Sequence, residues 1–226
     1  MSSGPPGYDG SVSSPTSAEV PALGPGLRLL KKRRTFLSIQ DAALDLFAEQ
    51  GFEATTVDQI AARAEVSTAT FFRYFSAKDE VLFSGFDDQL SALKQAIVER
   101  PNREEDFVAV RRAVVQQWVP MLDHDRVALR HQVTTSSPRL RDSSLHLGIK
   151  WQRVISDGLA TRRGLDNPDR KARLVAAVAM AVFGNAVDSW VTDGRPGELA
   201  AAVDDSFALL FGSSAKDARP RRQPRP

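Results

Sequence analysis

Between Thr55 and Leu82 the chain reads TTVDQIAARAEVSTATFFRYFSAKDEVL, and its residue types suit contact with a nucleic-acid duplex. Thr68, Ala69 and Thr70 are small, so a helix that begins with them can approach base edges closely. Arg73 carries a planar guanidinium fork that matches guanine O6 and N7, a contact worth roughly 1–3 kcal/mol of discrimination. The same group can bind phosphate, which adds affinity without sequence information. Tyr74, Lys78 and the Thr56 hydroxyl or its neighbouring N–H suit phosphates on the groove wall. At helical spacing Phe72 shares a row with Thr68, and Arg73 with Ala69. The helix N-terminus, with its dipole and unpaired N–H groups, favours phosphate nearby.

These side chains need two short helices set across a tight turn. Thr56 is suited to cap one, over Val57, Ile60, Ala61 and Ala64, and Ser67 the next. Glu65-Val66 forms the turn. Phe71 and Phe75, one turn apart, point inward. This is the layout of a helix-turn-helix reader, whose second helix enters the major groove. A plain three-helix packing unit would account for Phe71 and Phe75, but not for Phe72, Arg73 and Tyr74 in an exposed row. A preceding helix carries Ile39, Ala43, Leu46 and Phe47 on one apolar face and ends at Gly51, a suitable left-handed cap.

The 226 residues allow one large domain or two small ones, and 42% hydrophobic with 26% charged is ordinary for a globular chain. No run approaches the roughly 20 consecutive apolar residues of a membrane span, and the N-terminus does not read as a secretory signal. Cysteine is absent, which excludes disulfides and thiolate metal sites and fits a cytoplasmic location. Net charge is only +2, so positive charge for DNA must be placed locally. Lys31, Lys32, Arg33 and Arg34 supply it before the first helix, with Arg33 and Arg34 as DNA-contact candidates.

Composition divides the chain. Residues 1–26 are rich in Gly, Pro and Ser and read as a disordered arm. Residues 27–80 form the helix-turn-helix domain, 81–212 a helical body, and 213–226 a disordered basic tail. A long helix is expected from about Ala77 to Arg100, with Pro101 as its stop. Further helices are expected over about 103–122, 124–135, 143–164, 168–193 and 197–211, punctuated by Pro138, Gly164 with Pro168, and Gly194 with Pro196. No strand is expected. The fold class is all-α: a three-helix head followed by a larger body.

The stretch FLSIQDAALDLFAEQGFEATTVDQIAARAEVSTATFFRYFSAKDEVLF resembles the N-terminal domain of TetR (tetracycline-repressor) family transcriptional regulators, over roughly Thr35 to Phe83. The resemblance implies that Thr56, Ser67, Thr68, Thr70, Phe72, Arg73, Tyr74 and Lys78 occupy DNA-contact positions. Two residues depart from the family pattern: Glu65 replaces the usual Gly, and Phe72 a common Tyr. The resemblance also implies a C-terminal body that binds a small molecule and forms a homodimer. RLVAAVAMAVFGNAVDSWV and ELAAAVDDSFALLF would then pair as a four-helix interface through helices about 168–193 and 197–211.

A weaker similarity, carried by AEVSxxTFFRYF and RHQVTTSSPRLRDSSLHLGIKWQ, is to the subgroup whose C-terminal domain takes acyl-CoA-like ligands. Trp118, Met121, Arg130, His131 and Trp151 are the candidate effector contacts on that reading. Their plainer roles are core filling for the tryptophans and Met121, and ion pairing for Arg130 and His131. No cofactor is expected. His124, His131 and His146 lack metal-pair spacing, and neither a phosphate loop nor a nucleophile elbow is present. The expected function is a repressor released from double-stranded operator DNA by a small apolar or acyl-CoA-like effector, with no membrane partner. An effector-independent activator or architectural protein is the alternative, and an all-α enzyme a remote one.

Overall fold

A computed structural model of the chain describes Met1, residues 25–195 and residues 197–211. The expected arm, the basic tail and Pro196 lie outside the described residues, except for Met1 and the end of the arm that opens the first helix. Among the described residues the architecture is all-α. Ten α-helices follow in order: α1 Pro25–Gln50, α2 Val57–Arg63, α3 Thr68–Tyr74, α4 Glu80–Phe83, α5 Asp87–Val98, α6 Asp106–Ala113, α7 His124–Ser136, α8 Pro138–Arg162, α9 Arg170–Thr192 and α10 Leu199–Phe211.

Two apolar clusters organise them. The first joins Ile39, Phe47, Ile60, Phe71 and Phe75 of the head with Leu82, and it also takes in Val133 of α7 and Leu140 of α8. The second fills the body with Ile97, Trp118, Trp151, Ile155, Ala179, Trp190 and Phe207 among others. At Gly158 a β-carbon would lie 3.3 Å from Ile97, so the missing side chain lets α5 and α8 pack closely.

The structure corrects several expected elements. The basic cluster Lys31–Arg34 lies inside α1, which begins at Pro25. The long helix from Ala77 is absent: α4 stops at Phe83, and Ser84-Gly85-Phe86 breaks the chain before α5. Gly85 adopts φ 79°, which no helix accommodates. Gln40 of α1 holds this break by donating to the carbonyls of Val81 (2.8 Å) and Ser84 (3.0 Å). The helix expected over 103–122 ends at Ala113, then widens into a π-helix over Val114–Trp118 and tightens into a 3₁₀ turn over Val119–Met121. Pro120 lacks an N–H and so cannot continue the α-helical ladder. Pro138 opens α8 rather than interrupting it, because its missing donor costs nothing in a first turn.

α9 matches the helix expected over about 168–193. Although its apolar run is broken, its length and composition match a membrane span. It packs with Ala172, Ala176, Ala179, Val182, Ala186, Val187 and Trp190 buried and Val175, Val178, Met180, Phe183 and Val191 partly buried against the body core, while Leu174 is exposed.

Candidate DNA interface and effector cavity

The head is built from local caps. Thr56 accepts a hydrogen bond from the Gln59 amide (3.2 Å), while the Thr56 amide donates to Gln59 Oε1 (2.9 Å), a complete capping box. α2 ends in a Schellman motif, in which the Val66 amide donates to Ala61 and the Glu65 amide to Ala62. This puts Glu65 at φ 55°, the left-handed position that the departure from glycine made doubtful. Ser67 caps α3 by accepting from the Thr70 amide at 3.1 Å.

α3 presents the predicted side chains as helical geometry required. Phe71 and Phe75 are buried, whereas Ser67, Ala69, Phe72 and Arg73 are exposed, and Thr68, Thr70 and Tyr74 are partly exposed. Arg73 lies over the Tyr74 ring at 5.4 Å. Thr56 is exposed at the start of α2. Thr68 donates to Asp58 Oδ1 at 2.8 Å, which ties the two reading helices and fixes that hydroxyl. Arg33 and Arg34 are exposed on α1, and Arg33 pairs with Asp88 at 3.0 Å.

Lys78 is placed differently from the expected phosphate contact. Its ammonium donates to the carbonyls of Phe52 (2.7 Å), Thr55 (2.8 Å) and Glu53 (3.4 Å) and sits 4.3 Å from the Phe52 ring. Three donors meet three acceptors, so this charge closes the loop between α1 and α2 instead of reaching outward.

The body contains a cavity of about 470 Å³, within the range of small-molecule sites. All five sequence candidates, Trp118, Met121, Arg130, His131 and Trp151, line it. Trp118 meets Trp151 (4.9 Å between ring centres) and Phe183 (5.1 Å) at steep tilts, and Phe86 meets Trp151 at 6.0 Å. His131 is paired, with Nε2 3.0 Å from Asp188. Arg130 is not: among the described residues it has neither a hydrogen bond nor a carboxylate within ion-pair distance. It stacks at 4.7 Å on Phe86. Burial, reinforced by the charge of Arg126 and opposed by Asp41, pulls its guanidinium down to about 10, so it stays charged at neutral pH.

Sequence reasoning missed Arg126, Phe86 and Phe183. Arg126 lies one turn before Arg130 on α7 and so on the same face, a spacing that could have flagged it. Asp123 is the N-cap of α7, accepting from the Arg126 amide at 3.1 Å.

The model of bacterial regulatory proteins of the tetR family matches residues 39–84, and that of the MftR C-terminal domain matches residues 105–214. The HTH-type transcriptional regulator TcmR of Streptomyces glaucescens is 31% identical over 218 residues, covering 92% of this chain and 93% of the relative. The chain belongs to the TetR family.

Its fold agrees with solved TetR-family structures. The fatty acid degradation regulator FadR of Bacillus halodurans matches with a TM-score of 0.56 at 23% identity, over 79% of this chain and 98% of that one. FadR of Bacillus subtilis, solved with stearoyl-CoA, matches with a TM-score of 0.51 at 19% identity, over 78% and 98%. This TetR-family chain is therefore a DNA-binding, helix-turn-helix transcriptional regulator. TetR regulators bind operator DNA and function as dimers.

Proposed function

We propose that this protein is a dimeric repressor, located in the cytoplasm with its DNA, that leaves its operator when an apolar or acyl-CoA-like effector fills the body cavity. The observation that carries this is the position of the cavity. Phe83 and Phe86, which flank the break between α4 and α5, line it, and so does Arg126 of α7, which is bonded to α1. A ligand that repacks these residues acts on both connections to the head. The stearoyl-CoA bound by the Bacillus subtilis FadR supports an acyl-CoA-like effector here.

In the DNA complex, Arg73, Phe72 and the small residues Ser67, Thr68, Ala69 and Thr70 meet the major groove, with Tyr74, Thr56, Arg33 and Arg34 near the backbone. Residues about 27–80 act as the reading head and 81–212 as the effector and dimer body. Two heads dock one DNA turn apart on a pseudo-palindromic operator. Dimerisation runs through α9 and α10, which leave Leu174, Leu209 and Leu210 exposed as apolar surface for another subunit to cover. No catalytic role is assigned to any residue.

Gel shifts with upstream DNA test the reading. A specific band weakened by acyl-CoA is expected. Undiminished binding by a variant carrying Arg73→Ala and Tyr74→Ala defeats it. Thermal shift with acyl-CoAs of several chain lengths tests the ligand class, which fails if none stabilises the protein.

A further inference from the structure

Two arginines stand in the wall between the body cavity and a second groove of about 640 Å³ beneath the head. Phe86, Gln89, Asp123, Arg126 and Arg130 line both spaces. Arg126 faces the head: its Nη2 lies 2.7 Å from Asp41 and its Nη1 3.3 Å from Asp45, both on α1. These bonds latch the reading head to α7. Arg130, one turn later, lies over the Phe86 ring and has no carboxylate within ion-pair distance among the described residues.

The latch is poorly balanced. Burial raises the Asp41 carboxyl above its ordinary value, outweighing the pull of Arg126, with Asp45 and Asp123 adding to the rise. The guanidiniums of Arg126 and Arg130 thus lie near the carboxylates of Asp41, Asp45 and Asp123, yet among the described residues none of these carboxylates is within ion-pair distance of Arg130. A desolvated charge without a partner is costly. An anion entering from the cavity removes that cost, and the guanidinium fork fits a carboxylate or a phosphate. The apolar part of the lining, with Trp118, Trp151, Leu147, Met180 and Phe183, takes an apolar body.

We propose that the effector is an anionic amphiphile whose carboxylate or phosphate binds Arg130 and draws Arg126 away from Asp41 and Asp45, unlatching α1 from α7. This rests on the effector-released repressor described above and adds the ligand's charge and the bond it exchanges. The ligand's anion on Arg130 and the head's carboxylates on Arg126 draw on two guanidiniums of one wall, so each lowers the other's hold.

The test uses the full chain with decanoate, decyl phosphate and decanol, which share one apolar chain. Binding is followed by the fluorescence of Trp118 and Trp151, and operator release by anisotropy of a labelled fragment. At least one of the charged probes should bind about tenfold or more tighter than decanol, as a charge-assisted hydrogen bond implies. Comparing decanoate with decyl phosphate distinguishes carboxylate from phosphate. Arg130→Gln should abolish that advantage and Arg130→Lys should restore part of it. The combined Asp41→Asn and Asp45→Asn variant removes the competitor while conserving shape at partly exposed positions. It should bind the preferred anion several-fold tighter and the operator more weakly.

Equal affinity for decanol and both anions, no binding of any probe, or unchanged anion and operator affinities in the Asp-to-Asn variant each overturn the proposal. Sequence-specific operator binding that persists alongside any of these leaves the repressor reading standing. Loss of specific operator binding by the wild-type protein without any probe sinks that reading and this proposal with it.

Discussion

The ring of Phe36 occupies the space that a β-carbon on Gly85 would need: its Cε1 would be 2.4 Å from such an atom and its Cζ 2.6 Å. The first helix of the head is thus seated directly in the break between α4 and α5. Gly85→Ala forces the ring aside and places an L-residue at φ 79°. Together these should cost about 1–3 kcal/mol. The variant should melt several degrees lower, and an unchanged melting temperature would remove the steric argument.

Glu65 occupies a left-handed position where glycine is free of strain. Glu65→Gly should stabilise the protein or leave it unchanged, because relief of about 1 kcal/mol is offset by the greater freedom of an unfolded glycine. Glu65→Val should destabilise by about 1–2 kcal/mol, since a β-branched residue tolerates this region worst. Thermal melts of the two variants falling in the opposite order would contradict the turn geometry.

Arg162 and Asp106 form a 2.6 Å ion pair with side chains 1% and 2% exposed. Arg162 also donates to the carbonyls of Pro101 and Glu104, closing the loop between α5 and α6. Arg162→Met alone should cost about 3–5 kcal/mol, because it leaves a buried carboxylate with only the longer pairs to Arg163 (3.4 Å) and Lys171 (3.5 Å). Adding Asp106→Leu should recover much of that loss in denaturant unfolding. Failure of the second change to recover any would show that the carbonyl bonds, not the charge, carry the cost.

Glu104 contacts Arg100 and Arg112, each at 2.5 Å. The Arg100 hydrogen bond chiefly holds its carboxyl below the ordinary 4.5. A depressed acid contributes stability above its unfolded pKa and loses it as pH falls through the folded one. The wild type should therefore lose stability on acidification below about pH 4.5 more steeply than Glu104→Gln. Parallel stability curves for the two proteins would refute the assignment.

Arg73 and Lys78 should separate in their effects. Arg73→Ala should weaken operator binding by about 1–3 kcal/mol with no change in melting temperature. Lys78→Ala, which strips three carbonyls of their donor, should lower the melting temperature, with a loss of about 1–3 kcal/mol in stability. Its operator affinity, measured where the protein is folded, should fall less than that of Arg73→Ala. The reverse pattern would return Lys78 to the phosphate contact expected from its sequence position.

The sequence by itself determined the helical class, the head's apolar faces and the outward row of α3, because these depend on residues within one or two turns of each other. Caps such as Thr56, Ser67 and Gly51 are equally local, whereas the cavity candidates came from the resemblance to the acyl-CoA-binding subgroup. Only the tertiary structure decided the rest. The break at Gly85 depends on where Phe36 comes to lie, and the π-helical turn before Pro120 on how the chain reconnects α6 to α7. Lys78 meets carbonyls more than twenty residues earlier, and Arg126 meets Asp45 across 81 positions. Bonds between such distant residues arise from packing, which no periodicity along the chain records.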